Sequence, residues 1–177
     1  MEFPQRGHSS LNITGTDIMD SASLRRAFSR FATGITVITT RNEEGVACGV
    51  TINSFSSLSL EPALVQFNLR KESTLRDFIE THGFFGVNVL NADQSHLSDR
   101  FALSDKSAKM DDIPLRESTF SLPIFSDALA IYECRWKKNY DGGDHVIVLG
   151  EVENLHLGSG APLLYYESRY ARLEQTE

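Results

Sequence analysis

Strand-like runs follow one another along this chain with turn residues between them, and no regular alternation with helices interrupts them. Ile35 to Thr40, Val46 to Ile52, Ala63 to Leu69, Phe84 to Leu90, Ala128 to Asn139, His145 to Leu157 and Leu163 to Glu167 are the candidate strands. They are rich in β-branched and aromatic residues, which pack well on a pleated surface. Parallel strands need long crossover segments, usually helices. The sequence supplies hairpin loops instead, at Arg41-Asn42-Glu43-Glu44-Gly45 and, most clearly, at Asp141-Gly142-Gly143-Asp144. An open sheet of this size would leave two edges exposed, and closure removes them. The pattern therefore predicts a mainly β fold, a closed or nearly closed antiparallel barrel with two or three short peripheral helices.

The helical signals are local. Asp20 or Ser21 caps a first helix in which Leu24, Ala27, Phe28 and Phe31 recur at one face, which predicts a buried stripe ending before Gly34. Ser73 or Thr74 opens a second, carrying Leu75, Phe78 and Ile79 and ending at Gly83. Asp93 caps a third that runs on through Leu97 to Phe101. Residues 104–126, with Pro114 and Pro123, read as a long irregular excursion. Residues 1–19 show little apolar periodicity and read as a flexible N-terminal arm, leaving one domain over residues 20–177.

At 177 residues, 41% of them hydrophobic and 23% charged, the chain reads as a globular domain large enough for a proper core. The net charge of -7 and the scattered basic residues exclude a nucleic-acid stripe. No apolar run is long enough to span a membrane, and there is no secretory leader pattern, so a cytoplasmic protein is expected. Cys48 and Cys134 stand far apart inside strand-like segments, which predicts buried free thiols. The five histidines lack zinc-type spacing, so no metal is expected.

The chemistry concentrates in Cys48-Gly49-Val50-Thr51-Ile52-Asn53-Ser54-Phe55-Ser56-Ser57-Leu58-Ser59, read as a strand running into a polar loop. Its hydroxyls and amide exceed what a turn requires, and it carries no acid, base or metal ligand. That composition suits a polar, partly anionic small molecule held by many neutral hydrogen bonds, or simply a polar surface loop. Ser73-Thr74 follows Arg70-Lys71, so a helix N-terminus with unpaired N–H groups and nearby cations either attracts a phosphate or is plainly capped. Arg100, beside Phe101, is either a second phosphate ligand or an exposed helix residue. His145, after the Gly143-Asp144 turn, either donates to a bound ring or bonds its own turn. Ser54, His145 and Asp144 lack a nucleophile-elbow pattern, and neither a dinucleotide fingerprint nor a P-loop is present.

Several ordered motifs together resemble the short-chain flavin reductases, the FMN-binding split barrels that serve as reductase components of two-component flavin-dependent monooxygenases. They are Phe31-Ala32-Thr33-Gly34-Ile35-Thr36-Val37-Ile38-Thr39-Thr40, Gly49-Val50-Thr51 through Ser54-Phe55-Ser56-Ser57-Leu58-Ser59-Leu60-Glu61-Pro62-Ala63-Leu64-Val65, Phe84-Phe85-Gly86-Val87-Asn88-Val89-Leu90, Gly143-Asp144-His145 with Gly150 and Val152, and Pro162-Leu163-Leu164-Tyr165-Tyr166. The resemblance implies a homodimeric Greek-key split barrel that binds FMN or FAD, takes NADH or NADPH as cosubstrate, and supplies reduced flavin to an oxygenase component. It places Ala47, Cys48, Gly49, Val50, Thr51, Asn53 and Ser54 along the flavin ring and ribityl chain, continued by Asn68, Leu69 and Arg70. It assigns Ser73, Thr74 and Arg100, beside Phe101, to the phosphate, His145 to the nicotinamide, and Tyr166 and Tyr170 to the flavin edge. The alternative on the same barrel is a flavin-binding module without turnover.

Overall fold

The computed structural model describes residues 20–102 and 110–173, so the expected arm over 1–19 lies outside the described residues. In chain order the elements are α1 (Ser21–Phe28), β1 (Thr33–Gly34), β2 (Thr36–Arg41), β3 (Ala47–Ile52), β4 (Ser56–Leu60), β5 (Ala63–Arg70), α2 (Thr74–His82), β6 (Phe84–Val89), α3 (Ser95–Ala102), β7 (Leu115–Arg116), β8 (Ile124–Phe125), β9 (Ala130–Gly142), β10 (His145–Leu157), β11 (Leu164–Tyr166) and β12 (Arg169–Ala171). Seven of the strands form one sheet in the order β3-β2-β6-β9-β10-β5-β4, antiparallel throughout. A small sheet, β1-β11-β12, and the β7-β8 pair flank it.

The strand order forces closure. β3 and β4 are consecutive in the chain, linked only by Asn53, Ser54 and Phe55, yet they occupy the two opposite edges of the sheet. Such a link reaches on the order of 14 Å between strand ends. The sheet must curl until its edges nearly meet. No ladder joins β3 to β4, so the barrel keeps an open seam. Ser54 fastens that seam at one point, its Oγ accepting the Asn68 N–H of β5 at 3.0 Å.

The period-two alternation sorts side chains into two apolar layers. Inside the barrel lie Ile38, Cys48, Phe67, Phe85 and Val148, among others, with Leu75 and Ile79 of α2 packed onto them. Outside the sheet, Val37, Ile131 and Leu163 pack under Leu97 and Phe101 of α3 and under Met110, Ile113 and Phe125 of the following segment. Asn88 ties the outer layer down. Fully buried, it donates to the Val37 carbonyl at 3.0 Å and accepts the Phe125 N–H at 2.8 Å. Both ends of its amide are thereby satisfied, as burial demands.

Local signals placed most elements well. Asp20 is the N-cap of α1, accepting the Ser23 N–H at 2.6 Å, and Gly83 ends α2 in the left-handed region at φ 78°. Two expectations fail. The α1 stripe is not buried: Phe28 is 71% exposed, Phe31 78%, and no residue of the helix is buried. The helix lies at the rim, where nothing else in the described chain covers its apolar face. The serine-rich stretch after Ser54 is also not a loop, because Ser56–Leu60 forms the edge strand β4 on β5. An edge strand tolerates hydroxyl side chains on both faces, which masked it as a loop.

Candidate functional site

The β5–β10 ladder builds one wall. Along β5, Val65, Phe67 and Leu69 point inward, leaving Asn68 and Arg70 exposed on the outer surface. In the paired register His145 lies opposite Arg70 and Ile147 opposite Asn68, and opposed residues share a face. His145 therefore stands beside Arg70 on the outside of the barrel, which settles its register. The position is fixed by the two-residue turn before it. Gly143 takes φ 81°, which an L-residue with a Cβ rarely adopts. His145 Nδ1 donates to Asp144 Oδ1 at 2.7 Å, leaving Nε2 directed elsewhere. That bond, and then the nearby imidazole charge, hold the Asp144 carboxyl below the usual carboxylate range.

The same turn is stitched to the start of α2. The Lys71 N–H donates to the Asp144 carbonyl at 3.1 Å, and the Lys71 ammonium pairs with Asp141. That contact lowers the Asp141 carboxyl. Ser73 occupies the N-cap of α2 with extended dihedrals, φ -72° and ψ 116°, and its N–H donates to the Arg70 carbonyl at 2.9 Å. Arg76 folds back from the first turn to donate to the Lys71 carbonyl at 2.9 Å. Arg70, Lys71 and Arg76 thus surround one helix N-terminus, whose N–H groups carry partial positive charge.

Across the seam, β3 meets α3. Thr51 Oγ1 donates to the Ser98 carbonyl at 2.7 Å, while the Tyr170 hydroxyl contacts Ser98 Oγ at 3.0 Å and Asp99 Oδ1 at 2.5 Å. Burial, then the Asp99 bond, raises the Tyr170 phenol above its ordinary value. α3 sits close on β3 at Gly49, where an added Cβ would meet Phe101 Cδ1 at 3.1 Å and Met110 Cε at 3.2 Å.

The residues expected at a site fall into three groups. Asn53, Asn68, Arg70, Thr74 and His145 present side chains toward the outer surface around the seam and α2, with Thr51 and Ser54 half-buried among them. Cys48, Gly49, Leu69 and Phe101 are buried in the core, with Ala47 and Val50 packed against it, and back that wall from behind. Phe101 is 1% exposed and stacks on Phe125. Arg100 makes a bidentate pair with Asp112 at 2.6 and 2.8 Å, and Tyr166 stands on the separate β11-β12 hairpin opposite Arg169. Sequence reasoning missed Arg76 and the pair Ser98–Asp99. Arg76 is visible in hindsight as a cation in the first turn of α2, whereas nothing local marks Ser98 and Asp99. Among the described residues, clefts of about 510 and 640 Å³ indent the surface, and of the expected residues Arg100 alone lines either of these. In a single chain the wall around the seam is open to solvent.

A seven-stranded antiparallel barrel with an open seam, polar groups along that seam and a cation-flanked helix tip beside it is a split barrel of the nucleotide-binding kind. Residues 28–174 match the family described as flavin reductase like domain, and the chain belongs to that family. It is 35% identical over 156 residues to an FMN reductase (NADH), SmoA, of Agrobacterium fabrum, covering 88% of each chain. It is 40% identical over 159 residues to HsaB of Mycobacterium tuberculosis, the reductase subunit of a flavin-dependent monooxygenase, covering 88% of this chain and 84% of that one. Its fold matches the NADH:FAD oxidoreductase SgcE6 of Streptomyces globisporus, solved with NAD and FAD fragments, at a TM-score of 0.81 and 32% identity over 88% of this chain and 93% of that one. No helix among the described residues is long and apolar enough to cross a membrane.

Proposed function

We propose that this protein is an NAD(P)H:flavin oxidoreductase that reduces FMN or FAD and hands the reduced flavin to a separate flavin-dependent monooxygenase. Family membership carries the activity. The donor set agrees with it: neutral hydroxyl and amide groups at Thr51, Asn53, Ser54 and Asn68 beside a helix tip flanked by Arg70, Lys71 and Arg76. Such a set suits a ring-and-ribityl molecule ending in a phosphate.

The reaction is hydride transfer from nicotinamide C4 to flavin N5, with one solvent proton completing the reduced flavin, so the bound molecules supply the redox chemistry. The protein's share is geometry and field. Ser54 and Asn68 hold the polar edge of the flavin, and the α2 N-terminus with Ser73 and Thr74 takes its phosphate. Arg100 adds a guanidinium by exchanging part of its bond to Asp112. His145, fixed through Nδ1 to Asp144, offers Nε2 to the nicotinamide carboxamide and orients it. Backbone N–H groups of β3 and the seam would supply donors to the polar edge of a bound flavin ring. Alignment of two bound rings is worth on the order of 7–11 kcal/mol at the limit, which explains a site without paired carboxylates or a nucleophile.

A homodimer belongs to the same proposal. The open wall needs a second side, and exposed apolar residues stand ready for a partner copy: Phe28 and Phe31 on the α1 side, Leu58 and the 95% exposed Leu60 on β4. A cytoplasmic location, one functional domain over residues 20–177 and Tyr166 and Tyr170 at the flavin edge complete the reading. Titrating FMN and FAD with the protein while following flavin fluorescence tests it. Saturable quenching at micromolar concentrations is expected, and unquenched flavin with both nucleotides overturns the proposal.

A further inference from the structure

The C-terminal end of α1 and the β11-β12 turn enclose a cleft of about 640 Å³ that the flavin chemistry does not use. Among the described residues four guanidiniums line it, Arg25, Arg26, Arg30 and Arg169, against the single carboxylate of Glu167. Arg30 pairs with that carboxylate at 2.7 Å. Arg25, Arg26 and Arg169 make no ion pair among the described residues, Arg26 acting on the Asp20 carboxyl only from a distance, whereas Lys71, Arg76, Arg100, Arg135 and Lys137 each have an acidic partner. In a chain of net charge -7, one cleft therefore holds a formal excess of three positive charges.

Two ordinary causes fall short of explaining this. Cations near a helix C-terminus are favourable, which accounts for Arg25 and Arg26 on α1. That effect does not reach Arg169, which arrives from a hairpin about 140 residues later in the chain and is held there by the backbone bond from the Glu167 N–H to the Ser29 carbonyl at 2.9 Å. Solvation of a polar face explains exposed arginines but not their convergence, since like charges brought together repel.

We propose that this cleft binds the diphosphate group of a nucleotide. Among the described residues its lining contains no apolar side chain; the remaining positions are Ser29 and Ser168. Guanidiniums and hydroxyls together favour an oxyanion as the occupant. Guanidinium forks match phosphate oxygens in pairs, and the three without an ion pair, two on α1 and one on β12, exceed what one phosphate needs. The choice of a nucleotide over other oligoanions rests on the flavin reductase reading. Three sources share the chemistry: FAD, the nicotinamide dinucleotide, and a free nucleoside diphosphate.

Calorimetric titration with sodium pyrophosphate and with ADP tests the proposal on the intact protein, without turnover. Millimolar or tighter binding is expected, weakened about tenfold in both Arg26→Gln and Arg169→Gln. Lys138→Gln, the same charge change on the barrel, should leave it intact, and thermal melts verify that each variant is folded. Should one arginine variant not fold, the other carries the test. Kinetics then separate the sources. A raised KM for FAD but not FMN assigns FAD, a raised KM for NADH with either flavin assigns the nicotinamide dinucleotide, and loss of ADP binding with neither KM moved assigns the free nucleotide. Absence of pyrophosphate and ADP binding, or equal binding by the arginine variants, overturns the proposal. A protein that binds pyrophosphate in this way yet reduces no flavin would overturn the reductase reading and leave the cleft standing.

Discussion

Gly150→Ala is the sharpest test of how the barrel is packed. A Cβ on residue 150 would lie 2.3 Å from Phe85 Cζ, 2.7 Å from Cε1 and 3.2 Å from Cys134 Cβ. Ordinary contact begins at 3.4 Å, so the ring would have to retreat by roughly 1.1 Å, the difference between 3.4 and 2.3. Phe85 is fully buried and packs edge-on against Phe67 at a centroid distance of 5.2 Å. Overpacking a close-packed core costs about 1–3 kcal/mol, and an overlap of this size with a fully buried ring belongs at the upper end. For a domain of this size each kcal/mol moves the melting temperature by about 2–4 °C, so Gly150→Ala should lower it by about 6–12 °C. Adding Phe85→Leu removes the obstacle, and the double variant should be more stable than the two single losses predict by about 1–2 kcal/mol. Thermal melts and urea unfolding of the four proteins measure the cycle. A single variant melting within about 2 °C of the parent would refute the packing argument. The site shares in the result, because Gly150 sits at the bulge between Leu149 and Gly150 that sets the β9–β10 register on the strand carrying His145.

Three further perturbations follow from the geometry. His145→Ala should raise KM for the nicotinamide substrate about tenfold while flavin affinity stays, and loss of flavin binding with unchanged nicotinamide kinetics would contradict its assignment. Glu133 is 0% exposed and accepts from Ser118 Oγ at 2.5 Å, Asn154 Nδ2 at 3.2 Å and His156 Nε2 at 3.0 Å. Burial pushes its carboxyl up, but the Ser118 and His156 bonds outweigh that and hold it below the ordinary 4.5. A lowered folded value means stability present above the unfolded pKa and lost as pH falls through the folded one. Glu133→Gln should therefore cost about 1–3 kcal/mol near neutrality, with the difference from the parent shrinking below about pH 4; a difference constant with pH would count against the account. Tyr170→Phe removes the bonds to Ser98 and Asp99 and should cost about 0.5–1.5 kcal/mol in urea unfolding, and an unchanged midpoint would show that the hairpin is not fastened to α3 there.

What could be read in the sequence was what local chemistry decides. His145–Leu157 was predicted with the bounds it has, because a two-residue glycine turn precedes a long β-branched run. α2 was legible from its start at Ser73 or Thr74, the apolar face of Leu75, Phe78 and Ile79, and the stop at Gly83. β4 was not, since serines on an edge strand look like a loop, and its strand state depends on pairing with β5 across a tight turn. The α1 stripe was legible as a pattern but misread as buried, because periodicity shows that a face is apolar and not what covers it. The wall of the site was half visible. Asn68, Arg70 and His145 follow from strand alternation once the β5–β10 register is known, whereas Thr51, Ser98 and Tyr170 meet across 47 and 72 residues of chain. No motif marks that meeting point.

The central claim is that this barrel brings a nicotinamide and a flavin together for hydride transfer. Anaerobic stopped-flow mixing of the protein and FMN or FAD with NADH or NADPH, followed by loss of the visible flavin absorbance, measures it directly. The account predicts bleaching far faster than the same nucleotides show without protein, saturating in both substrates. Flavin that binds yet bleaches no faster than free flavin would contradict it and leave only a flavin-binding module.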